Sequence, residues 1–525
     1  MTTALPTLQD VSRVADETER FLNALGKAGF IGDIDASYGG RLVAATDNSI
    51  YQQLPQAVVY PKSSHDVRCL LRVANKAEHQ HICFSPRGGG TGTNGQSLTP
   101  AVVVDVSRYL THILELNLEE GWVRVEAGLV KDALNEFLAP YGYFFAPDTS
   151  TSNRATIGGM IGTDASGQGS LVYGKTSQHV LGLRAYLANG DEINTAPIAR
   201  SDAEQLATKN DTLGTIYQQV LASCVSQREQ IEDKFPPLNR FLTGYDLKHT
   251  WDKEADTIDL SRLLTGAEGT LAFVTEAKLK ITPLPRHKVL VNVKYQNFQA
   301  ALRHAPALVR ARATSVETVD SIVFDLARND VIWNEVKDLL TDVEGYSMDG
   351  INMVEFTATN AYEIEDKVAS LSAELDQLDP AESGVIGYQV CADAPSIQRI
   401  YAMRKKAVGL LGATKGRRKP VAFVEDTAVP PEHLADFIEE FRALLDAEKL
   451  QYGMFGHVDA GVLHVRPALD LTQDEDEALV RRVSDQVLAL TAKYGGLMWG
   501  EHGKGYRSEY GPAFFGDALF TQLRQ

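Results

Sequence analysis

Cysteine is scarce in this chain. Four occur among 525 residues, Cys69, Cys83, Cys224 and Cys391, far apart and with no C-x-x-C pair. That spacing argues against a structural zinc ribbon, an iron–sulfur cluster held by this chain alone, or a disulfide framework, and it fits a reducing compartment such as the cytoplasm. Long apolar runs are missing too. None approaches the roughly 20 residues that span a bilayer, and the N-terminus lacks the basic stretch and apolar core of a signal peptide. Basic residues are outnumbered by acidic ones, 51 to 69, for a formal net charge of −18. A balance of that sign argues against nucleic acid or anionic lipid as the main partner, although local basic spots can still hold a small anion. No internal repeat or low-complexity tract is visible.

What is present is the composition of a soluble globular protein, 44% hydrophobic and 23% charged. The length predicts two or three domains, each with its own core. The most informative stretch is Ser85-Pro86-Arg87-Gly88-Gly89-Gly90-Thr91-Gly92-Thr93-Asn94-Gly95, which follows the apolar run Ile82-Cys83-Phe84. Glycine reaches positive φ without steric penalty. A run of glycines lets several backbone N–H groups face one point and hold an anion such as a pyrophosphate. A flexible surface loop would read the same way. The letters also fit G-x-G-x-x-G at Gly90, Gly92 and Gly95, a fingerprint that requires a helix directly after the glycines. The chain instead enters Ala101–Val106, a buried strand by its pattern. That is the wrong context for a nicotinamide-type Rossmann unit. A P-loop nucleotidase is excluded as well, on the expectation that no Gly-Lys-Ser/Thr is present.

Periodicity predicts a helix within residues 8–30 on Val11, Val14, Phe21, Leu22 and Leu25, and another after Ser63 and Asp66 through Val67, Leu70, Leu71 and Ala74. Strands are expected at Val102–Val106, Ile113–Leu116 and Trp122–Ala127, and a helix at Val130–Leu138. Pro283-Leu284-Pro285 is the best boundary. Beyond it, strands at Val289–Tyr295, Asn352–Phe356 and Val385–Val390 alternate with helices at Ala300–Arg312, Ala361–Leu378 and Pro431–Glu448, an α+β pattern. Gly416-Arg417-Arg418-Lys419 is the densest basic cluster and reads first as a solvated loop.

Two further glycine clusters follow the first: Thr156-Ile157-Gly158-Gly159-Met160-Ile161-Gly162-Thr163-Asp164-Ala165-Ser166-Gly167, and Leu264-Thr265-Gly266-Ala267-Glu268-Gly269-Thr270-Leu271, which opens a strand at Ala272–Lys280. The order P-R-G-G-G-T-G, T-I-G-G-M…A-S-G, G-A-E-G-T-L resembles the FAD-binding domain of the vanillyl-alcohol oxidase/p-cresol methylhydroxylase (PCMH-type) superfamily. The rest resembles that superfamily's FAD-linked oxidase cap. The nearest likeness is to the flavin half of the long bacterial FAD- and iron–sulfur-dependent D-2-hydroxyglutarate dehydrogenases. The implied fold is α+β: an N-terminal helical extension over residues 1–50, a two-subdomain FAD-binding domain over 51–285, and an antiparallel-sheet cap over 286–525. Relatives continue into an F-D-P…N-P-G-K segment and cysteine-rich iron–sulfur modules. The resemblance therefore implies that the last domain is cut short here and that the iron–sulfur module or another electron acceptor is a partner.

The resemblance also implies cofactor contacts. For FAD these are Pro86, Arg87, Gly88, Gly89, Gly90, Thr91, Gly92, Thr93, Asn94 and Gly95 in the first loop. In the second they are Thr156, Gly158, Gly159, Thr163, Ala165 and Gly167, and in the third Gly266, Glu268, Gly269 and Val274. Some relatives tether FAD to a histidine in the first loop. None lies between Phe84 and Leu110 here, so the expected FAD is non-covalent.

The densest histidine grouping is Gly456-His457-Val458-Asp459-Ala460-Gly461-Val462-Leu463-His464-Val465-Arg466, with Trp499-Gly500-Glu501-His502-Gly503 downstream. Two histidines and a glutamate make a sensible divalent-metal set with open positions. Buried core histidines are the bland alternative. The resemblance assigns metal ligation, Zn or Mn, to His457, His464 and Glu501, the general base to His502, and the substrate-carboxylate arginine to Arg404. Two departures stand out: the usual G-D-G-N is replaced by Val458-Asp459-Ala460-Gly461-Val462, and a common asparagine by Arg466. Arg466 and Lys419 are further candidates for a second carboxylate. The expected activity is oxidation of a small D-2-hydroxy acid, foremost D-2-hydroxyglutarate, by hydride transfer to flavin, with a homo-oligomer as the other expected partnership. D-lactate dehydrogenation, a flavin oxidase, a metal-dependent hydrolase without flavin, and a non-catalytic electron-transfer subunit are the competing readings. Peroxide formation, a colourless protein, or indifference to every hydroxy acid would mark the last three.

Overall fold

Val102, Val103 and Val104 are all fully buried, as a continuous apolar run predicts for an interior strand of a parallel sheet. The computed structural model, which describes residues 13–236, 238, 244–412 and 415–524, places them in a four-stranded sheet. Its order is Asp33–Asp35, Ala57–Tyr60, Val102–Asp105, Phe84–Arg87, with the last three strands parallel. The helix Ser64–Ala74 makes the crossover. Ser63 Oγ caps it by accepting from the Asp66 amide at 3.3 Å. The first helix is shorter than its periodicity suggested, Asp16–Lys27. Val14 precedes it, and Val11 lies outside the described residues. The N-terminal segment is also not purely helical, because Asp33–Asp35 pairs antiparallel with Ala57–Tyr60 and extends the sheet.

The second sheet is antiparallel: Ile113–Asn117, Trp122–Glu126, Phe273–Lys280, Val180–Tyr186, Glu192–Asn194. Its middle strand is the latest in sequence, so this unit closes only when the chain returns after the third glycine cluster. The helices Lys131–Leu138 and Ile157–Thr163 share its core.

After Pro285 an eight-stranded antiparallel sheet forms. Its order is Val385–Cys391, His287–Tyr295, Gly350–Ala358, Ser315–Val319, Tyr452–His457, Val462–Leu469, Lys419–Pro420, with Thr427–Ala428 also on Val462–Leu469. Alternation assigns the two faces. Val291, Val293, Val316, Val354 and Phe356 join the core under the helices Phe298–Arg310, Ala361–Leu375, Leu434–Ala447 and Asp474–Lys493. Leu290, Val319, Ile351, Met353 and Phe455 join a second core under Ser321–Arg328 and Ala394–Gly412. The second face matters for function, because Glu317 and His457 are cross-strand partners on it and His464 pairs with Phe455. Among the described residues no helix is long and apolar enough to cross a membrane.

Candidate active site

The three glycine clusters meet around one cavity of about 470 Å³. Its wall includes Pro86, Arg87, Gly88, Gly89, Gly90, Thr91, Gly92 and Thr93, then Thr156, Gly158, Gly159, Thr163, Ala165 and Gly167, then Glu268, Gly269 and Val274. Absence of side chains is required here. A Cβ on Gly158 would lie 2.8 Å from the Ala127 carbonyl oxygen, and one on Gly167 would lie 2.8 Å from that of Asp148. Thr93 Oγ1 and Ser166 Oγ are buried on this wall with no hydrogen-bond partner in the protein. Such orphaned hydroxyls fit a polar ligand lying along the loops.

Not every expected cofactor residue faces the cavity. Asn94, Gly95 and Gly266 are absent from its wall. Asn94 Nδ2 instead donates to the Gly503 carbonyl at 2.9 Å, and Gln96 Nε2 to that of His502 at 2.6 Å. Glu268, with a left-handed φ of 53°, accepts from the amides of Lys504 at 2.6 Å and Gly505 at 3.0 Å. Burial raises the Glu268 carboxyl against the pull of Lys504. Side chains of the first and third glycine clusters, with Gln96, thus hold the main chain of the turn that carries His502. Arg87 is committed as well: it donates to the Thr46 carbonyl at 2.8 Å and to Ser97 Oγ at 3.3 Å, tying the N-terminal segment to the loop.

The opposite wall of the same cavity comes from the C-terminal sheet and carries Arg404, His457, His464, Arg466, Glu501 and His502. His457 ends one strand and His464 sits in the next, joined by a turn in which Gly461 takes φ +68°. Three imidazoles converge on Glu501 Oε1: His464 Nε2 at 3.0 Å, His502 Nε2 at 3.3 Å and His457 Nε2 at 3.4 Å. Ligand-capable atoms of Asp426, His464, Glu501 and His502 all lie within 4.8 Å of one another. The donor set suits a divalent cation, with His457 against Glu501 and Asp426 beside it. The sequence reading did not include Asp426. It adopts φ +68° and accepts from the Glu501 amide at 3.0 Å and the His502 amide at 2.8 Å, which fixes the turn.

Electrostatics separate the roles. Glu425 is fully buried and accepts from His502 Nδ1 at 3.0 Å and from Arg466 Nε at 3.2 Å. Burial alone would raise its carboxyl, but His502 and Arg466 hold it well below the usual range. Burial alone would lower the His502 imidazole, but Asp426, Glu425 and Glu501 hold it well above its usual value. His464 is pushed down, chiefly by burial. The contact of Nδ1 with Glu425 turns His502 Nε2 toward Glu501 and the cavity. Arg404 pairs through Nη2 with Glu317, while its Nε is buried without a partner.

A family profile described as the FAD binding domain matches residues 55–196, and one described as the C-terminal domain of FAD linked oxidases matches residues 284–525. The chain thus carries a FAD binding domain followed by a C-terminal domain of the FAD linked oxidase type. It is 58% identical over 522 residues to the D-2-hydroxyglutarate dehydrogenase of Escherichia coli (strain K12), and equally so to that of Pantoea ananatis (strain AJ13355). In both alignments 99% of this chain is covered but 51% of the relative, so the chain spans about half the length of these curated relatives. The solved 4-ethylphenol oxidase from Gulosibacter chungangensis superposes with a TM-score of 0.64 at 12% identity, covering 96% of this chain and 93% of that one. That likeness supports the fold.

The structure also shows what the motifs concealed. Glu317, Glu425 and Asp426 escaped the sequence reading. The signal available was acid within apolar runs, Val316-Glu317-Thr318-Val319 and Phe423-Val424-Glu425-Asp426, since a carboxylate buried there must have partners. Lys419 is exposed in a short strand and off the cavity wall, so Arg466 is the candidate of the two that lines the cavity. Arg417 and Arg418 are exposed, as a solvated loop would have them, but each is paired, Arg417 with Asp470 and Arg418 with Asp476. The expected absence of Gly-Lys-Ser/Thr does not hold: Gly169-Ser170-Leu171-Val172-Tyr173-Gly174-Lys175-Thr176 fits G-x-x-x-x-G-K-T. The structure gives it no strand–loop–helix context. Lys175 is buried against Asp164 at 2.6 Å and Thr176 Oγ1 donates to the Ala165 carbonyl at 2.7 Å, so the segment braces the second glycine cluster.

Proposed function

We propose that this chain oxidises D-2-hydroxyglutarate to 2-oxoglutarate with non-covalent FAD as hydride acceptor. The observation that carries the reading is the single cavity in which FAD-type glycine loops face a cluster of three imidazoles, a carboxylate and an arginine with an unpartnered Nε. The 58% identity to dehydrogenases of that name supports the substrate.

The reaction removes a hydride from C2 and a proton from the C2 hydroxyl. Arg404 holds the C1 carboxylate through the Nε edge that Glu317 leaves open. Arg466, whose guanidinium lies 5.6 Å from the Phe455 ring centre while that of Arg404 lies 5.9 Å from it, is placed to meet the second carboxylate. His457, His464 and Glu501 would hold a divalent cation, Zn or Mn, with Asp426 beside them. When bound, such an ion polarises the hydroxyl and offsets the carboxylate charge around His502. His502 Nε2 takes the hydroxyl proton, and Glu425 on Nδ1 steadies the imidazolium that results. Reoxidation of the flavin passes to an external acceptor, in the long relatives' manner an iron–sulfur module, in a reducing cytoplasmic setting.

The purified protein should be yellow, and anaerobic D-2-hydroxyglutarate should bleach it far faster than D-lactate does. A flavin that D-2-hydroxyglutarate leaves oxidised removes the proposal. Acid denaturation should release the FAD into the supernatant, because no histidine lies in the first loop. Colour retained in the pellet would show a covalent link.

A further inference from the structure

One buried carboxylate on the cap sheet touches two parts of the site at once. Glu317 is 1% exposed and lies directly opposite His457 across the antiparallel pair Ser315–Val319 and Tyr452–His457. Cross-strand partners share a face with Cβ atoms about 4.5–5.5 Å apart, so its side chain stands beside the imidazole. Glu317 Oε1 takes the His457 Nδ1 contact, and Glu317 Oε2 takes Arg404 Nη2. A second carboxylate, Glu355, sits diagonally on the next strand, where Ser315 is its cross-strand partner. It accepts from Tyr401 at 2.7 Å and pairs with Lys288 at 2.9 Å. Tyr401 and Arg404 are one turn apart on Ala394–Gly412, so both carboxylates pin that helix to the sheet. Only Glu317 also touches a histidine of the convergent cluster.

We infer that Glu317 is a positioning residue that ties the substrate-carboxylate arginine to the metal-binding histidine. The inference rests on the functional reading above. Its two oxygens do different things. The one on Nδ1 fixes the His457 tautomer with Nε2 toward Glu501 and makes that nitrogen a better donor, the usual work of a carboxylate behind a ligating histidine. The other orients the guanidinium by its Nη2 corner and leaves Nε for an incoming carboxylate. A shift of one oxygen would therefore move metal donor and substrate anchor together.

The test is Glu317→Gln, nearly isosteric, with Glu355→Gln as control. Zn²⁺ affinity of the FAD-loaded protein is read by competition with a fluorescent chelator, without substrate. Expected is a weakening of about 10–100-fold in Glu317→Gln, with parent-like affinity in Glu355→Gln although both lose thermal stability. In Glu317→Gln the KM for D-2-hydroxyglutarate should rise as well, the second mark of a tie to Arg404. Parent-like Zn²⁺ affinity in Glu317→Gln, equal weakening in both variants, or a parent that binds no Zn²⁺ overturns the inference. Should Glu317→Gln not fold, Glu317→Asp, which keeps the charge but is one methylene short, carries the same expectation. A parent whose flavin ignores D-2-hydroxyglutarate overturns the functional reading instead, and the Zn²⁺ titration still decides the role of Glu317.

Discussion

Replacing His502 with asparagine should slow flavin reduction by saturating D-2-hydroxyglutarate about 10²–10⁴-fold, the range that general-base help supplies, while FAD content stays at the parent level. The separation is expected because the turn bearing His502 is held by its main chain. Its carbonyl receives Gln96 and that of Gly503 receives Asn94, its amide reaches Asp426, and the amides of Lys504 and Gly505 reach Glu268. Removing the imidazole leaves those contacts in place. It does remove the His502 partner of Glu425, which then leans chiefly on Arg466. Stopped-flow bleaching under anaerobic conditions measures the step directly. Equal rates in variant and parent would take His502 out of the proton transfer and leave it as a buried partner of two carboxylates.

The legible part of this molecule was the part written in short contiguous patterns. Glycine clusters must be contiguous because backbone has to approach a ligand along a stretch, and all three lie on the cavity. The apolar alternation of Val289–Tyr295 and Asn352–Phe356 gave strands within a residue or two of their bounds, since each face of the sheet has its own core. His457, His464 and Glu501 were legible through family resemblance and come together as that implied. What stayed hidden is built from single residues far apart in sequence. Glu317 meets His457 across 140 positions, and Glu425 meets His502 across 77. No local period marks such a pair, and an acid inside an apolar run is its only trace. Asn94, Gly95 and Gly266 lie off the cavity wall for a related reason. A motif records that a position is needed, not whether it touches the ligand or holds the neighbouring turn, and Asn94 does the latter.

Arg404→Met should lower kcat/KM for D-2-hydroxyglutarate about 10²–10³-fold. Losing one partner of a desolvated, hydrogen-bonded charge pair costs about 2–5 kcal/mol, and about 1.4 kcal/mol is tenfold. Orientation as well as affinity is lost. A carboxylate gripped by one planar fork fixes where C2 points, and small misplacement of the reacting carbon is expensive. Arg404→Lys should recover part of the affinity and little of the rate, because an ammonium restores charge without the fork. The substitution has a second effect that must be separated from the first: it strips Glu317 of its cation and leaves that carboxylate on His457 alone. A double-mutant cycle with Glu317→Gln divides them. If Arg404 acts on substrate, Arg404→Met still costs most of its effect in the Glu317→Gln background, where no buried carboxylate is left stranded. If its loss matters only by unbalancing Glu317, the double variant performs like Glu317→Gln alone, and Arg404 is a structural counter-ion rather than the grip on the substrate.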